Sequence, residues 1–288
     1  MQKLLLFLFL LIVSIAAHAN PKVESREYKL MLKADLFQHN TEAENVGSFL
    51  DNAKVTVEAA INGDATGRES LEKVRDVTFY DTHGTCQLNE VGYIFRERIE
   101  NEASEVTLKF RSPDRYISHF EDLSAASPKA DTKFEADIGI SSASPFKVVY
   151  GHSNTVPNKR TINKMGDINH HFTGFNNGYG FSDDTELSPV GGLTIREHVY
   201  KGREIDLGST KAKISVTLWY NGIPTDHQNP VLAEVSFKYK DKSANYTKQV
   251  VNNAKASFDA LQSLTHWINP DSKTKTKWVY DFDSSFCS

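Results

Sequence analysis

"GYIFRERIENEASEVTLKFRS", residues 92–112, holds two stretches that alternate with the two-residue period of a β-strand. In the first, Arg96 and Arg98 share one face, while Phe95 and Ile99 lie on the other. In the second, Thr107, Lys109 and Arg111 share a face opposite Val106, Leu108 and Phe110. The polar segment between them, residues 100–105, predicts a hairpin loop. The hairpin therefore has one apolar and one cationic face. Two arrangements satisfy this pattern. One is a half-buried sheet with its charged face in water; the other is a closed barrel with its charged face inside.

Neighbouring segments repeat the theme. In "SREYKLMLK", residues 25–33, Glu27, Lys29, Met31 and Lys33 oppose Tyr28, Leu30 and Leu32. In "TKFEADIGI", residues 132–140, Lys133, Glu135 and Asp137 oppose Phe134, Ala136 and Ile138. "VLAEVSFKYK", residues 231–240, sets Glu234, Ser236, Lys238 and Lys240 against Val235, Phe237 and Tyr239. Further strands are predicted at 77–82, 145–150, 193–200, 213–220 and 275–282. Helical spacing marks residues 45–62 and 245–268, the second ended by Pro270. Residues 158–184, rich in Asn, Gly, Asp and His, predict loops around short elements. The expected class is α+β, mainly antiparallel β, with about eight strands and two helices. A charged barrel interior is costly unless it is wet or holds a charged ligand.

The chain has 288 residues. Lys3, an apolar run over residues 4–16 and Ala17-His18-Ala19 have the form of a secretory signal peptide spanning residues 1–19. The predicted mature chain, residues 20–288, is exported to the periplasm or secreted, with no membrane association after cleavage. It loses one lysine from the 33 basic residues and keeps all 37 acidic ones. That balance argues against general nucleic-acid binding. Cys86 and Cys287 are the two cysteines, and export makes a disulfide between them chemically possible without requiring it. His152 and the adjacent His170-His171 show no spacing for a zinc site. No G-x-S-x-G nucleophile motif is present. Composition leaves the oligomeric state open.

"FYDT" at 79–82, Leu88, Gly92, "RER" at 96–98 and "TLK" at 107–109 together resemble the core pattern of the CYTH superfamily, the triphosphate tunnel metalloenzymes. "FEAD" at 134–137 and "LAEVSF" at 232–237 extend the resemblance over most of residues 20–288. It implies one closed, eight-stranded tunnel barrel with flanking helices, interrupted here by a loop-rich insertion at about 159–192. The first-strand pattern E-x-E-x-K is incomplete, with Ser25 in place of the first Glu before Glu27 and Lys29. The late E-x-E reads Glu234-x-Ser236.

The resemblance also implies a chemistry. A triphosphate needs several cations at once: Lys29, Arg96, Arg98 and Lys109, with Lys133 and Arg196 as additions. Glu27, Glu135, Asp137 and Glu234 are the implied ligands for Mg²⁺ or Mn²⁺, with Glu27 and Lys29 in the catalytic positions. The expected activity is hydrolysis of inorganic triphosphate or another phosphorylated small molecule. The alternatives are a non-catalytic polyanion-binding module and an exported structural or interaction protein.

Overall fold

The structure, a computed structural model, describes residues 20–141, 143–270 and 273–288. The expected signal peptide lies outside the described residues. Eleven strands form a single sheet: β1 (Ser25–Leu32), β2 (Ala65–Thr66), β3 (Ser70–Asp81), β4 (Tyr93–Glu100), β5 (Ala103–Ser112), β6 (Asp131–Ser141), β7 (Ser144–Asn158), β8 (Ser188–Pro189), β9 (Ile195–Asp206), β10 (Lys211–Asn221) and β11 (Leu232–Lys240). Nine of them close into a ring in the order β9-β10-β11-β1-β6-β7-β5-β4-β3, sealed by pairing of β3 with β9. β2 and β8 are short additions to β9 and β3.

The barrel is closed, as expected, but it has nine strands where eight were expected, and it is mixed. A ring with an odd number of strands cannot alternate direction all the way round, so one neighbouring pair must be parallel. That pair is β1 with β6, registered Ser25 to Glu135 and Glu27 to Asp137. The 92–112 segment forms β4 and β5, joined by a tighter turn than expected. Asn101 and Glu102 both have positive φ, 49° and 66°, the conformation of a two-residue hairpin turn whose twist matches the strands. The predicted strand at 145–150 extends to the full length of β7.

The helices are α1 (Glu42–Ile61), α2 (Gln87–Glu90), α3 (Arg115–Phe120), α4 (Met165–His171), α5 (Thr173–Tyr179), α6 (Lys248–Gln262) and α7 (Lys275–Phe282). Val46, Phe49, Leu50, Ala53 and Val57 give α1 one buried face. Val250, Ala254, Phe258 and Leu261 do the same for α6, and its N-cap Thr247 accepts a bond from the Val250 amide. Both helices pack on Tyr28, Leu30, Val235 and Phe237, so the apolar faces of β1 and β11 point outward under helical cover. On the other side, α4 and α5 of the 159–192 insertion cover Phe95, Val106, Leu108 and Phe110 of the hairpin.

The predicted strand at 275–282 is helix α7. Its first turn is capped by Thr274, which accepts from the Lys277 amide. The ring is closed by β3 and β9, so the segment is not needed to complete it. Val279 and Phe286 pack against Met31, Val77, Phe79, Ile94, Trp219 and Leu232. These are inward-facing residues at one end of the ring, so the C-terminal segment closes that end with an apolar layer. A Cys86–Cys287 disulfide, Tyr280 hydroxyl to Asp81 Oδ2 at 2.8 Å and Gly84 amide to Phe286 carbonyl at 2.7 Å hold it there. No helix of the described residues is long and apolar enough to cross a membrane.

Candidate functional site

With the apolar faces turned outward, the alternating charged residues meet inside the ring. One wall is made by β1, β5, β6 and β11. There Lys29 Nζ lies 2.9 Å from both Glu27 and Asp137. Lys109 Nζ bridges Glu135 at 2.7 Å and Asp137 at 3.1 Å. Lys238 reaches the other Glu135 oxygen at 2.7 Å, and Arg111 reaches Asp137 at 3.3 Å. Gly151 on β7 makes room for this network, since a Cβ there would come within 2.4 Å of Lys109 Cε.

The opposite wall, on β3, β4 and β9, is dominated by arginine. Arg75 Nε donates to Glu197 Oε1 at 2.6 Å, and Trp219 Nε1 donates to the other oxygen at 2.7 Å. Arg98 is farther from any acid, 3.9 Å from Glu197 and 4.0 Å from Glu105. Arg96 makes no ion pair among the described residues; its guanidinium lies 5.9 Å over the Phe79 ring. The Nε atoms of both Arg96 and Arg98 are buried without a hydrogen-bond partner. Lys275 of α7 joins the interior by pairing with Glu234, so Arg96 is the one cation named here that makes no ion pair among the described residues.

The titration behaviour follows from this division. Burial alone would raise Glu135 and Asp137, but Lys109 and the other cations around them outweigh it and hold both below the usual carboxylate range. Burial would lower Lys29, but Asp137 and Glu27 reverse the sign and raise it. At Arg96, burial, reinforced by Arg98, outweighs the pull of Glu197 and pushes it well below the ordinary guanidinium value. Arg98 is lowered by burial too, against the pull of Glu197.

The depressed acids predict an acid limit. Each contributes stability above its unfolded pKa of about 4, and that contribution is lost as pH falls through the lower folded value. Thermal melts should therefore be level down to about pH 4 and then fall. The fall should be shallower in Asp137→Asn. An equal acid slope in both proteins would remove Asp137 from this role.

The structure brings Glu27, Lys29, Arg96, Arg98, Lys109, Glu135 and Asp137 into one interior. Glu234 faces inward too, but its Oε1 is 2.8 Å from Lys275 Nζ. Two of the candidates lie elsewhere. Arg196 points outward and pairs with Asp76 at 3.0 Å, because its neighbour Glu197 takes the inward position on β9. Lys133 reaches the rim, with 49% of its side chain exposed beside Asp131. Sequence reading left out Arg75, Arg111, Lys238, Glu197 and Lys275. Arg111 and Lys238 were visible as members of charged faces; Lys275 sits on a segment read as strand and carried no signal.

No protein-family model matches the sequence, and no curated protein matches it. Several solved structures are similar to this chain. An adenylyl cyclase candidate from Hippeastrum with a dominant triphosphatase activity is 13% identical, with 91% of this chain and 97% of that one covered and a TM-score of 0.46. An adenylate cyclase candidate from Bacillus halodurans is 11% identical over 89% and 97% of the two chains, with a TM-score of 0.40. One from Vibrio parahaemolyticus is 10% identical over 91% and 99%, with a TM-score of 0.36.

Proposed function

We propose that this chain binds inorganic triphosphate or a related phosphorylated compound inside the barrel and hydrolyses it with the help of Mg²⁺ or Mn²⁺. One observation carries the reading. Arg96 and Arg98 are buried in the interior with Nε donors unmet, and Arg96 has no carboxylate paired to it among the described residues. Two neighbouring guanidinium groups with buried, unmet Nε donors and an acid no nearer than 3.9 Å are costly to the fold. A ligand rich in phosphate oxygens would satisfy it with charge-assisted, bidentate bonds.

The opposite wall fits a hard divalent cation. Glu27, Glu135 and Asp137 each offer an oxygen, and the three lie within 4.8 Å of one another, an all-oxygen donor set of the kind Mg²⁺ and Mn²⁺ take. When bound, such an ion neutralises phosphate charge and lowers the pKa of a coordinated water. The chain's own residues do the rest. Arg75, Arg96 and Arg98 orient the phosphates from one side, and Arg111 reaches them from the carboxylate wall. Lys29, Lys109 and Lys238 hold the carboxylates in place and screen their mutual repulsion. The apolar layer under α7 keeps bulk water from that end. The chain acts outside the cytoplasm in this proposal, after cleavage behind Ala19; the Cys86–Cys287 disulfide supports an oxidising compartment.

A second reading, capture of a polyanion without hydrolysis, is favoured by a specific feature. Ser25 and Ser236 take the place of acids, and Ser25 Oγ only donates to Glu135 at 3.3 Å. A phosphate-release assay separates the two. Release should rise with Mg²⁺ or Mn²⁺, stop with chelator and drop about tenfold or more in Glu27→Gln. Triphosphate binding with no metal-stimulated release would establish the capture reading instead.

A further inference from the structure

A second polar cluster lies on the outer side of the barrel wall, under the start of α1. His198 on β9 faces outward, while the adjacent Glu197 faces the interior, so the two sites sit on opposite sides of one strand. His198 and Glu42 are each 6% exposed. His198 Nδ1 is 2.8 Å from Glu42 Oε1, and His39 Nδ1 is 3.4 Å from Glu42 Oε2. Tyr200 donates its hydroxyl to Glu42 Oε1 at 2.8 Å, and Tyr220 donates to Oε2 at 2.6 Å. No Lys or Arg pairs with Glu42 among the described residues; its ion-pair partners are the two histidines.

We propose that His39, Glu42 and His198 form a zinc site that clasps α1 and the segment before it to β9 and β10. Two imidazoles and a carboxylate are a zinc donor set. Zn–N and Zn–O bonds of about 2.0–2.2 Å place ligand atoms around a tetrahedral ion about 3.4 Å apart. One ligand atom from each of the three residues already falls within 4.8 Å of the others. A movement of up to about 1.5 Å, taken mainly by the partly exposed His39, closes the difference. The ion would supply the positive charge that this buried carboxylate otherwise lacks. Both imidazoles would ligate through Nδ1 and carry their proton on Nε2. The Tyr200 and Tyr220 hydroxyls would continue to hold the carboxylate from outside, as outer partners of metal ligands do. The side chain of His39 is 28% exposed, which leaves an entry path and a fourth position for water. The nitrogen-bearing donor set distinguishes this site from the all-oxygen cluster inside the barrel.

The test uses tag-free protein stripped with chelator, reloaded with Zn²⁺ and dialysed. Elemental analysis should find about one zinc per chain. Co²⁺ in its place should give the visible absorption of a nitrogen- and oxygen-ligated ion, and zinc should raise the melting temperature. Glu42→Gln and His198→Ala should lose the metal, but they remove buried partners and can unfold the protein. His39→Ala is therefore the deciding variant. It should fold as well as the stripped wild type, bind zinc at least about tenfold more weakly and lose the thermal gain. Glu27→Gln should keep the zinc. Wild type that retains no zinc, His39→Ala that holds it as tightly, or loss of zinc in Glu27→Gln alone would each overturn the site.

Discussion

Replacing Arg96 and Arg98 together by methionine should leave a folded protein whose affinity for triphosphate is at least about 100-fold weaker. Each side chain lies in the interior with its Nε donor buried and unmet. A desolvated charge-assisted bond contributes roughly 1.5–3 kcal/mol, so two contribute about 3–6 kcal/mol. At about 1.4 kcal/mol per tenfold, that corresponds to roughly 100- to 10,000-fold. Titration calorimetry measures it directly. The stability of the same variant gives an independent readout. Arg96 makes no ion pair, and Glu197 keeps Arg75 at 2.6 Å and Trp219 at 2.7 Å when Arg98 is gone. No buried charge is orphaned, so the melting temperature should hold or rise. If binding is unchanged and the melting temperature falls by several degrees, the arginine wall serves the fold and not a ligand.

The second large effect is expected at the disulfide. Cys86 and Cys287 are 201 positions apart, and a bridge closing so long a loop removes much of the freedom of the unfolded chain. Loss of such a bridge costs about 2–5 kcal/mol, or a fall of roughly 5–15 °C for a chain of this size. The bridge also anchors α7 over the apolar end of the ring, where Val279 and Phe286 complete the core. Cys287→Ser should therefore melt early, and wild type in strong reductant should melt with it. Cleavage near residues 273–288 by dilute protease should speed up in both. A Cys287→Ser melt that overlays the oxidised wild type would reject this anchoring role.

Much of the barrel was legible in the chain because the two-residue alternation of a strand is a local property. Tyr28, Leu30 and Leu32 against Glu27, Lys29 and Met31 need no knowledge of neighbours to be sorted into two faces. Where both faces are buried, one under helices and one inside the ring, the alternation is clean and the charged set can be read off as one face. Arg96, Arg98, Lys109, Glu135 and Asp137 were grouped this way, and the family resemblance implied that their face turns inward. Arg196 was misplaced because it stands beside Glu197, and the sign of the inward face of β9 is set by its partners on β3 and β10. α7 was misread because its aromatic and β-branched residues favour a strand when no cap or free edge is considered.

Consecutive residues alone specify that charged and apolar faces alternate, that cations gather on the 92–112 hairpin, and that a disulfide is chemically possible. The nine-strand ring, the parallel run of β1 and β6, and the closure of one end by α7 and Cys287 emerge only when distant segments meet. The tertiary structure alone brought His39, Glu42 and His198 together, and it alone set Arg75 against Glu197 across 122 positions. The physical reason is one of range. Side-chain alternation follows from the backbone geometry of consecutive residues, whereas ring closure and charge pairing depend on which distant strands become neighbours.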